Sequence, residues 1–182
     1  MDHRLNQQAR LTLITGPARS GKTGLAVQWA TTFPIPRAYI ATAQNLDEEM
    51  NERIRQHQEE RKSAFRTFEE PLTLTSQLEK MGKNFSIVIV DCLTLWLSNL
   101  LGEAGEEGRS IQQTTADFLV LLKKLETPVI LIGNEVGWGI VPDNPLARTF
   151  RDVSGRLNQE IARIADQVIL MVAGIPMMIK GK

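Results

Sequence analysis

The chain is predicted to fold as an α/β protein, a mostly parallel sheet flanked by helices with a C-terminal hairpin, and two observations carry that prediction. Its apolar runs are short, rich in β-branched residues and continuous rather than alternating, as in strands covered on both faces. Between them lie longer segments whose apolar residues recur at helical spacing, and strands alternating with helices build parallel sheets. In chain order, Leu11 to Thr15 is the first strand, followed by a glycine-rich turn and a helix marked by Leu25, Val27 and Trp29. Ala38 to Ala41 is a shorter second strand. Asp47 to Arg61 is helical, because Asp47, Glu48 and Glu49 suit the positive end of a helix and its arginines suit the later turns. Ile87 to Val90 is the next strand, a helix begins near Leu93, and Val129 to Ile132 is a further strand. Gly102 to Arg109, polar and glycine-rich between two apolar helical patterns, is an exposed loop. Asn144-Pro145 opens another helix as N-cap and first helical residue, with Leu146, Phe150, Val153, Leu157, Ile161 and Ile164 on one stripe. Val168 to Val172 then leads through Ala173-Gly174-Ile175-Pro176 to Met177 to Ile179, the hairpin.

Composition sets the outer limits. The 182 residues suit one domain spanning the whole chain, with residues 1–9 as a flexible tail. Hydrophobic residues at 42% and charged residues at 23% are globular proportions that argue against disorder and against a membrane span. Twenty-one basic and 21 acidic side chains cancel, leaving no overall field that draws the chain to nucleic acid. The lone Cys92 excludes an internal disulfide framework, and the polar start MDHRLNQQAR lacks a secretory apolar run, so the expected compartment is the cytoplasm.

The most informative motif follows the first strand: Gly16, Pro17, Ala18, Arg19, Ser20, Gly21, Lys22 and Thr23 match G-x-x-x-x-G-K-[ST] between a strand and a helix. Glycines let the backbone curl so that its N–H groups point inward, and the helix that follows presents its positive end to an anion. Lys22 then reaches the outer phosphates of a nucleotide, and Thr23 supplies a hydroxyl to Mg²⁺. This places the fold among P-loop nucleoside triphosphate hydrolases of the RecA-like kind. Asp91, closing the strand Ile87 to Val90, either holds the Mg²⁺ or caps the helix near Leu93, and one carboxylate can do both. Cys92 beside it reads as a small core residue.

His57 shares a helix face with Met50, Ile54 and Arg61. By pattern alone it is either packed structure or chemistry; Arg61, one turn on, favours a neutral ring nitrogen free to attack and can bind phosphate beside it.

Taken together, ITGPARSGKT, YIATAQNLDEEMNERIRQHQEER, RTFEE, DCLTLWLSNLL and GNEVGWGIVPDNPLARTFRDVSGRLNQEIARIADQV resemble one family over nearly the whole chain. That family is the bifunctional adenosylcobinamide kinase and adenosylcobinamide-phosphate guanylyltransferase of cobalamin biosynthesis. The resemblance implies two reactions: phosphorylation of the terminal hydroxyl of adenosylcobinamide by ATP or GTP, then transfer of GMP from GTP to give adenosylcobinamide-GDP. It implies that His57 carries the GMP covalently, and that the nucleotides also touch Ala41, Thr42, Ala43, Gln58, Glu59, Glu60, Arg61, Glu69 and Asp91. Glu69 is the candidate reader of guanine, because a carboxylate accepts from the ring N–H and exocyclic amine together; the alternative is a solvated acid beside Glu70. Glu135, past the strand Val129 to Ile132, lies where such sheets gather ligand groups and is read as a base, a metal partner or a structural acid. Arg148 and Arg151 either meet phosphate or a neighbouring subunit, or are solvated. The resemblance further implies a homotrimer with a corrinoid substrate, which would use surface between subunits or the Gly102 to Arg109 loop. Pro17, Asp91, Lys62 and Phe65 depart from the residues expected at those positions. Without the resemblance, the same P-loop would also serve a simpler kinase with a structural His57, or a nucleotide-driven switch.

Overall fold

The computed structural model describes residues 6, 8–44, 64–103 and 110–181. The predicted helix at Asp47 to Arg61 lies outside them, as do Lys62 and most of the Gly102 to Arg109 loop.

Seven strands, β1 (Leu11–Thr15), β2 (Ala38–Ala41), β3 (Arg66–Glu69), β4 (Val88–Asp91), β5 (Val129–Ile132), β6 (Gln167–Val172) and β7 (Ile175–Lys180), form one sheet. Its order is β3-β2-β4-β5-β1-β6-β7, with every neighbouring pair parallel except the β6–β7 hairpin. Five helices are described: α1 (Lys22–Ala30), α2 (Leu74–Met81), α3 (Leu93–Glu103), α4 (Ile111–Lys124) and α5 (Pro145–Ile164).

Continuous apolar strands make sense once both faces are seen to be covered. Leu13, Val90 and Leu131 join Leu78, Trp96, Phe118 and Ile161 from α2 to α5 in one core. Ile14, Tyr39, Ile89 and Ile130 on the opposite face pack with Ala26, Trp29 and Ala30 of α1. Trp96 is fully buried against Phe118, ring centroids 4.9 Å apart, and its indole N–H donates to the Leu72 carbonyl at 2.9 Å. That bond satisfies a polar group that would otherwise be stranded in the core.

Within the described residues the predicted elements are present, with differences: α2 has no counterpart in the expectation, and β7 begins at Ile175, two residues before the expected Met177. β4 is shifted one residue toward the C-terminus, so Asp91 is its last residue rather than the one after it. Along α5 the buried stripe begins at Phe150, because Leu146 in the first turn is exposed. β3 has no counterpart in the expectation: Arg66-Thr67-Phe68-Glu69 carries a single large apolar residue, half-buried, and becomes a strand only by pairing with β2 at the sheet edge. No described helix is long and apolar enough to cross a membrane.

Candidate active site

The parallel register brings the carboxyl ends of the strands into one row, with Glu69 opposite Ala41, Ala41 opposite Asp91, and Asp91 opposite Ile132. Open parallel sheets bind ligands along this edge. β1 delivers the loop from Gly16 to Gly21 to the same edge, one strand beyond β5.

Two glycines are required there. Gly16 has φ 146°, and a Cβ on it would lie 2.4 Å from the Met171 carbonyl oxygen. Gly21 caps α1 with φ 93°, in the left-handed region that glycine adopts without strain. The loop is braced from the hairpin, where the Gly174 N–H donates to the Ser20 carbonyl at 3.1 Å. Pro17, Ala18 and Arg19 face solvent while Gly16 and Ser20 are buried.

Lys22 is 6% exposed and folds back on its own loop, donating to the carbonyls of Gly16 at 3.0 Å and Pro17 at 2.6 Å. Burial pushes its pKa below the usual lysine value, and the negative charges of Asp91 and Glu135 pull partly the other way. An arriving phosphate offers the ammonium a better partner than either carbonyl.

Asp91 accepts two hydroxyls on one oxygen, Oδ2: Thr23 Oγ1 at 2.9 Å, and the phenol of Tyr39 in a shorter bond. The Asp91 carboxylate thus meets the P-loop threonine. A hydroxyl and a carboxylate are oxygen donors of the kind Mg²⁺ takes. Among the described residues no three His, Cys, Asp or Glu side chains converge as a ready-made cage.

Glu135 is tied to the loop from two sides. Its backbone N–H donates to the Gly16 carbonyl at 3.1 Å, and its Oε1 accepts from Thr15 Oγ1 at 2.5 Å and Asn158 Nδ2 at 3.3 Å. Lys22, Thr23, Asp91 and Glu135 thus form one cluster.

Other predicted residues stand differently. Thr42 is fully buried, its hydroxyl donating to the Cys92 carbonyl and accepting from the Cys92 N–H, both at 2.7 Å, so its side chain locks β2 to β4. Ala41 is half-buried at the end of β2, and Ala43 follows Thr42. Glu69 is exposed at the end of β3, two strands and so roughly 10 Å from Asp91. Its neighbour Glu70 accepts from the N–H groups of Leu72 at 3.1 Å and Thr73 at 2.7 Å, holding the turn into α2. Arg148 donates to the carbonyls of Pro142 at 2.9 Å and Asp143 at 2.6 Å, closing the loop before α5. His57, Gln58, Glu59, Glu60 and Arg61 lie outside the described residues. Cys92 is buried, and burial pushes its thiol up to about 12, which suits a core residue and not a nucleophile.

Sequence reading missed Thr15, Tyr39 and Asn158. Thr15 precedes the motif, and only the fold brings Tyr39 from β2 and Asn158 from α5 to the two carboxylates. Thr15 and Tyr39 have one sequence signal, a polar group in an apolar stretch, since Thr15 ends LTLIT and Tyr39 interrupts AYIA; Asn158, in the polar RLNQE, has none.

A profile of the family described as cobinamide kinase / cobinamide phosphate guanyltransferase matches residues 12–179. The bifunctional adenosylcobalamin biosynthesis protein CobP of Pseudomonas aeruginosa is 41% identical over 170 residues, covering 93% of this chain and 97% of that protein. The corresponding protein CobU of Salmonella typhimurium is 37% identical over 182 residues, covering 93% of this chain and 99% of the relative. Among solved structures, the flagellar accessory protein FlaH of Methanocaldococcus jannaschii superposes with a TM-score of 0.52 at 13% identity, over 95% of this chain and 79% of its own. That likeness concerns the fold alone. With a profile match over almost the full length and relatives well above 30% identity, the chain belongs to the cobinamide kinase / cobinamide phosphate guanyltransferase family.

Proposed function

We propose that the chain phosphorylates the terminal hydroxyl of adenosylcobinamide with ATP or GTP, and then transfers GMP from GTP, through a GMP–His57 intermediate, to give adenosylcobinamide-GDP. The observation that carries this reading is the cluster at the P-loop, in which Lys22, Thr23, Asp91 and Glu135 converge in a chain whose family match spans residues 12–179.

The loop N–H groups and Lys22 bind and orient the nucleotide phosphates. Thr23 and Asp91 would hold Mg²⁺, which neutralises phosphate charge when bound. Glu135 takes the proton of the attacking hydroxyl. In the second reaction His57 attacks the α-phosphorus of GTP and pyrophosphate leaves; the corrinoid phosphate then attacks the same phosphorus and the P–N bond breaks. Two displacements let pyrophosphate depart before the bulky acceptor must be in line. Arg61 and its neighbours Gln58 to Glu60 steady the phosphates beside the histidine, Ala41 to Ala43 line the edge after β2, and Glu69 reads guanine. For the corrinoid the candidate surface is the segment after Glu135, where Trp138, Ile140 and Val141 are exposed. The working form is a cytoplasmic homotrimer.

The test is labelling with α-labelled and γ-labelled GTP, with Mg²⁺, in wild type and His57→Ala. The expected result is acid-labile label on wild-type protein from the α position only, absent from His57→Ala. Wild type that binds GTP yet stays unlabelled would remove the covalent step and leave a single-displacement kinase.

A further inference from the structure

We infer that Thr15 and Asn158 are positioning residues that aim Glu135 as the proton acceptor of the phosphoryl-transfer step, and of that step alone; the inference rests on the two-reaction reading above.

The geometry divides the carboxylate. Both side-chain donors, Thr15 Oγ1 and Asn158 Nδ2, bind the same oxygen, Oε1, and among the described residues no hydrogen bond is given to Oε2. The backbone is pinned as well, through the Glu135 N–H on Gly16. One oxygen is clamped and the main chain is fixed, which leaves Oε2 to take a proton, in a carboxylate whose charge acts on Lys22 of the P-loop. Thr15 is buried at the end of β1, and Asn158 comes from the middle of α5. Gly133 makes room for it: a Cβ there would lie 3.1 Å from Asn158 Oδ1. Both donors are uncharged, so they fix the carboxylate without neutralising it. Asp91 is held in the other manner, with the P-loop threonine and Tyr39 both on Oδ2. The two acids thus have separate tasks.

Only one of the two reactions needs a proton acceptor of this kind. In phosphoryl transfer the nucleophile is a neutral alcohol: its oxygen forms a bond to the γ-phosphorus, its proton passes to Glu135 Oε2, and the bridging P–O bond breaks with its electron pair leaving on the nucleoside diphosphate. In guanylyl transfer the nucleophiles are an imidazole nitrogen and then an anionic phosphate oxygen, and neither has a hydroxyl proton to lose. Loosening Glu135 therefore separates the two activities, which share the P-loop.

The experiment compares Thr15→Val, Asn158→Leu and their double variant with Thr15→Ser, which keeps the donor, and Gly133→Ala, which crowds Asn158 without removing a side chain. Adenosylcobinamide with γ-labelled GTP reads phosphoryl transfer; α-labelled GTP alone reads protein labelling. In the double variant kcat for phosphoryl transfer is expected to fall about 10- to 100-fold, with KM for GTP within about threefold of wild type and protein labelling retained. Thr15→Ser is expected to stay within about threefold of wild type, and Gly133→Ala to show the same split more weakly. A double variant that phosphorylates as fast as wild type, or that loses both activities together, overturns the inference. If the double variant does not fold, Gly133→Ala and Asn158→Leu decide it by the same split. Wild type that makes no phosphorylated corrinoid sinks the two-reaction reading and the clamp with it, a result distinct from a double variant that keeps pace with an active wild type.

Discussion

Lys22 is a cation kept out of water. Its ammonium is buried, satisfied by two loop carbonyls, and its pKa is pushed down by desolvation. The sign of the stability effect follows. Between the lowered folded value and the ordinary 10.5, the unfolded chain binds more protons than the folded one, so stability rises with pH across that window; below it the full burial cost is present. Lys22→Met removes the cost. Neither carbonyl is stranded by the change, since Gly16 still accepts from Glu135 and Pro17 is exposed. The expected outcome is a variant that no longer binds GTP yet melts higher than wild type at pH 7, with the gap closing as pH rises toward 10.5. Circular-dichroism melts at pH 7 and pH 10 measure it, and a variant that melts lower at pH 7 would mean that the hydrogen bonds outweigh the burial. The motif alone names this lysine, because spacing and flanking elements are local. It says nothing of Tyr39 or Asn158, whose roles come from strands and helices that are distant in sequence.

At the level of elements, the parts legible in the sequence are those whose cause is local. α5 is an example: Asn144 caps it, its side chain accepting from the N–H groups of Leu146 at 2.8 Å and Ala147 at 3.3 Å, and Pro145 takes the first helical position, where no N–H is needed. Asn144→Ala should therefore cost about 1 kcal/mol, lowering the melting temperature by roughly 2–4 °C, while Asn144→Asp keeps the acceptor and most of the stability. Thermal melts of the three proteins side by side test this, and equal midpoints for Ala and wild type would show the cap to be idle. β3 is the contrary case. Only Phe68 among its four residues turns inward, packing edge-on to Phe85 with ring centroids 5.7 Å apart, and its strand identity comes from four residues of β2 laid alongside. That information sits nearly thirty residues away, where no window of local pattern reaches it. Since β3 also carries Glu69, the element hardest to foresee is the one that brings the candidate guanine reader to the edge of the site.

For the molecule as a whole, the two edges of the sheet differ in kind. β3 presents Arg66, Thr67 and Glu69 to solvent, the polar sort of edge that discourages further pairing. β7 exposes Ile175, Met177, Met178 and Ile179, an apolar strip that a soluble monomer seldom leaves open. If the working form is a homotrimer, the second edge is where a neighbouring copy belongs, and three-fold symmetry requires β7 to meet a different surface of that neighbour, because like-on-like contact closes at two. The strip is also connected to the chemistry: the turn joining β6 to β7 donates through Gly174 to Ser20 of the P-loop, so whatever seats β7 steadies the phosphate cradle. The expected outcome is a wild-type chain that sediments as a three-chain species, and a Met177→Lys, Ile179→Lys variant that sediments as a monomer with weakened GTP binding. Sedimentation velocity together with equilibrium binding of GTP reads both halves. A variant that stays trimeric moves the contact to another face, whereas a monomer that binds GTP as tightly as wild type keeps the interface but severs it from the loop.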